Sequence, residues 1–356
     1  MDFTFSEEQR MMAASVRELL ADVCSPAVLR GVAEGRDDAQ AAAERWARYR
    51  ELGLPGLLAP EAAGGLGLTS VDFVLIAEEI GRAVVPEALV EHAAVAVPLL
   101  AEYAGDARVA PVLEAAAAGA ARVAVALPQE SLVAGAGQAD WLLLGAGDEL
   151  HLVPRSVVRL VEEPANDRLR RLHRVSCAPV KATRIVDGAG AREAMARAFD
   201  RGALYAAAQC LGVAERMLEI GVAYASERRQ FGQVIGAYQG LKHQFASAQV
   251  RLEFARPVVY AAAASLVDAG DKTRVAVAHA KLAAVAAADA CARIAMQAHG
   301  AMGYSWEVDL HFYMKRAWAL AGAWGDGSLH ACRVQSALWS GAQPLGPAHT
   351  FSATEA

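Results

Sequence analysis

Between Leu241 and Ala298 the chain carries two helical patterns that can bury their apolar faces only against other helices. Leu241, Phe245, Ala248, Leu252, Ala255 and Val259 alternate spacings of four and three residues, the seam of a helix packed lengthwise on a neighbour. The stretch from Val275 to Ala298 is rich in alanine, whose small side chain lets backbones approach closely, as in a bundle. Composition points the same way. With 55% hydrophobic but only 6% aromatic residues, the interior must be built mainly from Ala, Leu and Val, which disfavours an all-β chain. At 356 residues the chain exceeds the usual size of one core, so two or three packed units are expected.

The same apolar stretch contains His279, Lys281, Asp289 and Arg293, so it lacks the roughly 18 uninterrupted apolar residues of a membrane span. The segment Met1 to Gln9 has no basic patch followed by an apolar run, which argues against a secretory signal. A soluble cytoplasmic protein is expected. Thirty-four basic and 40 acidic residues are interspersed to a net charge of −6, which gives no footprint for nucleic acid. The five cysteines, Cys24, Cys177, Cys210, Cys291 and Cys332, are far apart and form no C-x-x-C pair, so neither a disulfide framework nor a zinc site is predicted. No Ser-His-Asp ordering, phosphate-binding loop or metal-ligand spacing is found.

Ser6 with Gln9 makes a capping-box pattern ahead of Met11, Met12, Val16, Leu19 and Leu20, so a first helix is predicted from about residue 6. A second runs from about Gln40 to Leu52 and stops at Gly53. Pro55, Pro60 and the Gly64-to-Gly67 cluster mark an ordered turn, after which Ser70 can cap a helix carrying Phe73, Ile76, Ala77 and Ile80. From about Arg122 to Ile185 short apolar runs alternate with glycine and charged turns, which predicts a modest β region. Helical texture returns near Arg192, breaks at Gly300 and Gly303, and resumes near Leu329. The predicted divisions are a helical domain over 1–120, a small β domain over 121–188, a helical bundle over 189–345 and a tail over 346–356.

Three motifs stand on this framework. Tyr224 to Gly232, read Tyr-Ala-Ser-Glu-Arg-Arg-Gln-Phe-Gly, is followed seven residues on by Gln239, and Gln297 to Tyr304 reads Gln-Ala-His-Gly-Ala-Met-Gly-Tyr. Alone, Arg228 and Arg229 are a basic helix terminus favoured by the dipole, or guanidinium groups able to make paired hydrogen bonds to a diphosphate. Gly300 and Gly303 either end a helix or let backbone approach a ligand. Leu52 to Gly67 and Glu78-Glu79-Ile80-Gly81-Arg82 form the third.

Together these motifs resemble the acyl-CoA dehydrogenase family over nearly the whole chain. The resemblance implies a mainly α fold: an N-terminal helical domain, a small abbreviated β domain and a C-terminal four-helix bundle. It implies FAD at a subunit interface, its ring held by one chain and its diphosphate end reached by the other. The arginine matching Arg228 contacts the pyrophosphate, Phe231 packs near the adenine side and Gln297 joins them, and the cofactor-binding assignment extends to Gln230, Gln239, Gly300 and Gly303. The second glycine of the family's usual pair is Ala301 here.

The departures from the family are as informative. Its base is a glutamate about nine residues after an arginine, and counting from Arg316 reaches Gly325, with Asp326 adjacent. An alternative base position follows an Ala-Phe-Asp-like run, yet Ala198-Phe199-Asp200-Arg201 leads here to Gly202 and Ala203. A residue without a titratable side chain cannot take a proton, whatever its surroundings. The Thr-Glu-Pro-like loop and Trp-Ile-Thr-like strand that flank the flavin ring are also missing; Leu127-Pro128-Gln129-Glu130-Ser131 and Asp140-Trp141-Leu142 stand near those places. His299 and His330 read as solvated or capping residues at helix ends. Resemblance therefore implies α,β-dehydrogenation of an acyl-CoA by a complex in which a homologous acyl-CoA dehydrogenase subunit supplies the glutamate, as in the paired unlike subunits of bacterial α2β2 enzymes acting on steroid side chains. Electron-transfer flavoprotein is the implied acceptor. A self-sufficient enzyme using Asp326 as its catalytic base, and a non-enzymatic scaffold that keeps only the fold, remain as alternatives.

Overall fold

The computed structural model describes residues 4–267 and 270–341. Helix α1 (Glu7–Val23) starts at the expected capping box: the Gln9 N–H donates to Ser6 Oγ at 3.2 Å and the Ser6 N–H to Gln9 Oε1 at 2.8 Å. Then follow α2 (Pro26–Ala33) and α3 (Ala39–Glu51), the latter capped by Asp38. The cap of α4 (Ser70–Arg82) is Thr69 rather than Ser70, because only Thr69 has a carboxylate three residues on: Asp72 accepts from the Thr69 N–H at 2.7 Å. Ser70 is the first helical residue instead. A π-helical turn, Glu91–Ala96, runs into α5 (Val97–Ala101), and α6 (Ala110–Ala117) follows.

The β region holds more sheet than its apolar runs predict. Strands β1 (Val123–Ala126), β3 (Trp141–Ala146), β4 (Glu149–Pro154) and β7 (Arg184–Asp187) form a four-stranded sheet in the order β1-β3-β4-β7, with β1 and β3 parallel. A second, antiparallel sheet has the order β2-β6-β5, from β2 (Val133–Ala134), β5 (Arg159–Glu163) and β6 (Leu172–Ser176). Its strands are short, and β5 and β6 carry mainly exposed or half-buried side chains, so no apolar run announced them. A separate small core, including Leu142, Val153 and Val158, sits in this region.

The C-terminal half comprises α7 (Gly188–Glu227), a two-stranded hairpin of β8 (Arg229–Gln230) and β9 (Gln233–Val234), α8 (Gln239–Ser265), α9 (Asp271–His299), α10 (Leu310–Gly322) and α11 (Gly327–Trp339). The 40-residue α7 is the hub, with a run of buried small residues from Ala206 to Ala208. It crosses α4 so closely that a Cβ on Gly212 would lie 1.9 Å from the Glu78 carbonyl oxygen. The charged residues of the Glu78-to-Arg82 segment lock that crossing. Glu79 accepts a two-pronged pair from Arg17 of α1, Glu78 accepts from Arg256 of α8 at 2.6 Å, and Arg82 reaches Glu215 and Glu219 of α7. This motif thus positions helices. By length and hydropathy α9 and the turn after it could span a membrane, but half of the most apolar window is buried in the bundle.

Candidate functional site

The segment after α7 is a tight hairpin. Arg229 pairs with Val234 and Gln230 with Gln233, leaving Phe231 and Gly232 as the two turn residues, at φ +50° and +85°. Two consecutive positive φ values match the twist of a two-residue hairpin, a geometry that glycine enters freely and phenylalanine does not. Phe231 is nonetheless 91% exposed, so no burial within the chain offsets the strain. The Tyr238 hydroxyl braces the turn by donating to the Gln230 carbonyl at 3.2 Å. Arg228, Arg229, Gln230 and Gln239, the last opening α8, are all exposed beside it.

The second motif lies at the same end of the bundle. His299, the last residue of α9, is buried, donates from Nδ1 to the Ala295 carbonyl at 2.7 Å and stacks on Tyr224 with ring centres 4.2 Å apart. The carbonyl of Tyr224 in turn accepts from the Arg228 N–H at 2.9 Å. One aromatic stack therefore sets the hairpin beside the α9 terminus, where Gln297 and Gly300 are exposed. Gly300 has φ +57° with open space where a Cβ would be. Gly303 differs: it is buried, and a Cβ there would come 2.6 Å from the Met296 sulfur, so it serves packing. His299 is likewise a packed core residue rather than the solvated terminus its sequence position suggested.

The two family base positions meet around one indole. Trp324, at φ +57° and buried, lies over Gly202 of α7, where a Cβ would come 2.2 Å from indole Cδ2. Its ring also meets Phe199 edge-on, with centroids 6.2 Å apart. The neighbouring Gly325 has φ +89°, and a Cβ there would stand 2.9 Å from His330 Nε2 and 3.0 Å from Phe199 Cζ. Asp326 points elsewhere: it is exposed and caps α11 by accepting from the Leu329 N–H at 2.9 Å.

Around this turn stand two buried groups and one half-buried group that sequence patterns did not single out for such a task. Lys281 of α9 donates from Nζ to the Leu320 carbonyl at 2.5 Å and the Ala323 carbonyl at 2.7 Å, and burial pushes its pKa down to about 8. Glu130, half-buried in the loop after β1, faces the backbone of Trp324 and Gly325, and desolvation raises its pKa above the ordinary carboxyl value. Buried His330 donates from Nε2 to the Trp324 carbonyl at 2.9 Å, and desolvation lowers its pKa to about 4, which keeps it neutral. A lysine in an alanine-rich helix face was the available signal. Asp140 and Trp141 are absorbed by the sheet: Asp140 accepts from the Arg122 N–H at 2.8 Å, and Trp141 begins β3.

Arg316 is 2% exposed, pairs with Asp167 at 2.5 Å and donates to the Val85 carbonyl. It borders a cavity of about 20 Å³, room for about one water, beside the ion pairs of Arg45 with Asp37 and Glu87 and of Arg170 with Glu91.

Comparison with known proteins identifies the family and the fold. Residues 6–120 match the acyl-CoA dehydrogenase N-terminal domain, and residues 188–335 match the C-terminal domain. The acyl-CoA dehydrogenase IpdE2 of Mycobacterium tuberculosis (strain ATCC 25618 / H37Rv) is 31% identical, covering 94% of this chain and 98% of that protein. Among solved structures, a Tcur3481-Tcur3483 steroid ACAD variant superposes with a TM-score of 0.82 at 25% identity, over 94% of this chain and 99% of the other. The ChsE4-ChsE5 complex of Mycobacterium tuberculosis shares the fold with a TM-score of 0.81 at 22% identity, over 95% and 99%. The chain belongs to the acyl-CoA dehydrogenase family, oxidoreductases whose cofactor is FAD.

The residues present fit FAD at one end only. The exposed Arg228-to-Gly232 hairpin and the open Gly300 backbone suit a diphosphate and its nucleotide. The loop from Leu127 to Ser131 turns its one carboxylate, Glu130, onto the backbone of the Trp324 turn.

Proposed function

We propose that this chain is the subunit without a base in a heteromeric FAD-dependent acyl-CoA dehydrogenase. Two chains of each kind would form an α2β2 assembly with a homologous subunit. Arg228, Gln230, Phe231, Gln239, Gln297 and Gly300 would hold the diphosphate and adenine end of FAD, and the partner would supply the ring-binding loop and the glutamate. The observation that carries this reading is the contrast within one chain: the nucleotide-end residues are gathered and exposed, with Phe231 strained into solvent, while Gly202 and Gly325 leave no carboxylate where a base would stand.

In the reaction a glutamate of the partner takes the α-proton of the acyl thioester. Bound FAD would supply the hydride acceptor for the β-carbon, and loss of the α-proton and that hydride would leave the α,β-enoyl thioester. This chain's part is orientation: a planar guanidinium at position 228 gives two parallel hydrogen bonds to a phosphate, which fixes the cofactor's register at the interface. Bulky steroid side-chain thioesters are the proposed substrates, electron-transfer flavoprotein the proposed acceptor and the cytoplasm the proposed location. The steroid assignment is supported by the similarity to a steroid ACAD structure.

Flavin absorbance of the chain purified alone, and again after co-expression with a homologous acyl-CoA dehydrogenase subunit, tests the reading. Flavin only in the mixed complex, at fewer than one per chain, is expected. Stoichiometric flavin in the lone chain would overturn it.

A further inference from the structure

The buried contacts around Trp324 go further than the lack of a base. Its backbone sits in the left-handed region, at φ +57°, a conformation costly for a bulky residue, and here, unlike at Phe231, the residue is buried among fixed neighbours. Those surroundings are spread over four parts of the chain. Lys281 of α9 holds the carbonyls at Leu320 and Ala323, His330 of α11 holds the Trp324 carbonyl, and half-buried Glu130 of the β region faces the Trp324–Gly325 backbone. Gly202 of α7 provides the hollow, since any side chain there would collide with the indole at 2.2 Å. A buried lysine is an expensive group to place in a core, and this one is directed at the turn, with half-buried Glu130 on its other side.

We propose that Trp324 is a substrate-excluding plug, its indole filling the volume in front of Gly202 so that this chain's own half-site refuses an acyl thioester. The inference rests on the reading of the chain as the subunit without a base, and adds that thioester binding is confined to the partner's site. Trp324 then determines specificity by occupancy: in the assembly it prevents a substrate from being held unreacted where no base can act.

Equilibrium dialysis of the full chain against octanoyl-CoA, with free CoA as the control, tests the plug in wild type and in Trp324→Gly. Wild type should retain neither ligand, and Trp324→Gly should gain octanoyl-CoA binding at least about tenfold over free CoA. The proposal is overturned if wild type binds octanoyl-CoA as well as the variant does, or if a cooperatively melting Trp324→Gly gains no preference for the thioester. Trp324→Phe, which opens a smaller space, provides the same comparison should Trp324→Gly fail to fold. Loss of cooperative melting in both variants would make the indole a packing residue and also overturn the plug. Flavin content reads independently: stoichiometric flavin on a lone chain that still refuses octanoyl-CoA would overturn the helper-subunit reading and leave the plug standing.

Discussion

The imidazole of His299 stacks on the ring of Tyr224 at 4.2 Å and 22°, joining the end of α9 to the last turn of α7 four residues before Arg228. This contact gives the two motifs proposed to hold the nucleotide end of FAD a common frame although 65 residues separate Gln297 from Gly232.

Replacing Tyr224 by Ala should destabilise the chain by about 1 kcal/mol beyond the lost burial, from the aromatic pair alone. It should also lower the flavin content of the co-expressed complex, because Arg228 and Gln297 lose their shared support. Arg228→Ala should lower flavin content further with an unchanged melting temperature, since Arg228 is exposed. Arg228→Lys should recover only part of it, because an ammonium cannot make the two-pronged contact. Absorbance ratios of the purified complexes measure all three; flavin retained in full by Arg228→Ala would favour a scaffold.

Lys281 should leave a pH signature. Burial lowers its pKa to about 8, whereas in the unfolded chain a lysine keeps its proton to about 10.4. Between those values the unfolded state binds more protons, so stability rises with pH across this window and the burdening effect is complete below it. Full relief amounts to roughly 3 kcal/mol by the linkage of about 1.4 kcal/mol per unit. Thermal melts of wild type and Lys281→Met from pH 7.5 to 10 should therefore show wild type gaining stability relative to the variant as pH rises. Cys210, Arg170 and Glu130 act on the same group, and burial pushes the Cys210 thiol up to about 11, above this window. A constant gap between the two melting curves would remove Lys281 as the titrating group.

Asp326→Asn separates a cap from a base. Asparagine caps a helix as well as aspartate does, so stability should be unchanged within about 0.5 kcal/mol. Turnover of the complex should also be unchanged within about twofold; a loss of several orders of magnitude would make Asp326 the proton acceptor.

Restoring a glutamate at position 325 should fail. Gly325 has φ +89°, and a side chain there meets His330, Phe199 and Leu329 within 3.1 Å. Gly325→Glu should cost about 1–3 kcal/mol and add no dehydrogenation in the lone chain. An activity gain measured with an artificial electron acceptor would show that the Trp324 turn yields to the new carboxylate.

The residues themselves determined much of this protein. The capping box at Ser6 and Gln9 and the four-three spacing from Leu241 to Val259 are local patterns, and local hydrogen-bond geometry and periodicity turn each into one structure, whereas the Phe231-Gly232 hairpin was not legible. Gly325 and Gly202 were equally legible, because an absent carboxylate is visible in a sequence. The tertiary structure decided what the absent groups were replaced by. Nothing in the separation of Lys281, Glu130, Trp324 and His330 along the chain shows that they converge, since their contacts are carbonyls and N–H groups that every residue carries. Similarly, the exposed strands β5 and β6 are specified by pairing across the sheet rather than by any apolar run of their own. Long-range packing fixes which backbone groups face one another, and in this chain that packing sets the Trp324 indole over Gly202, next to Gly325.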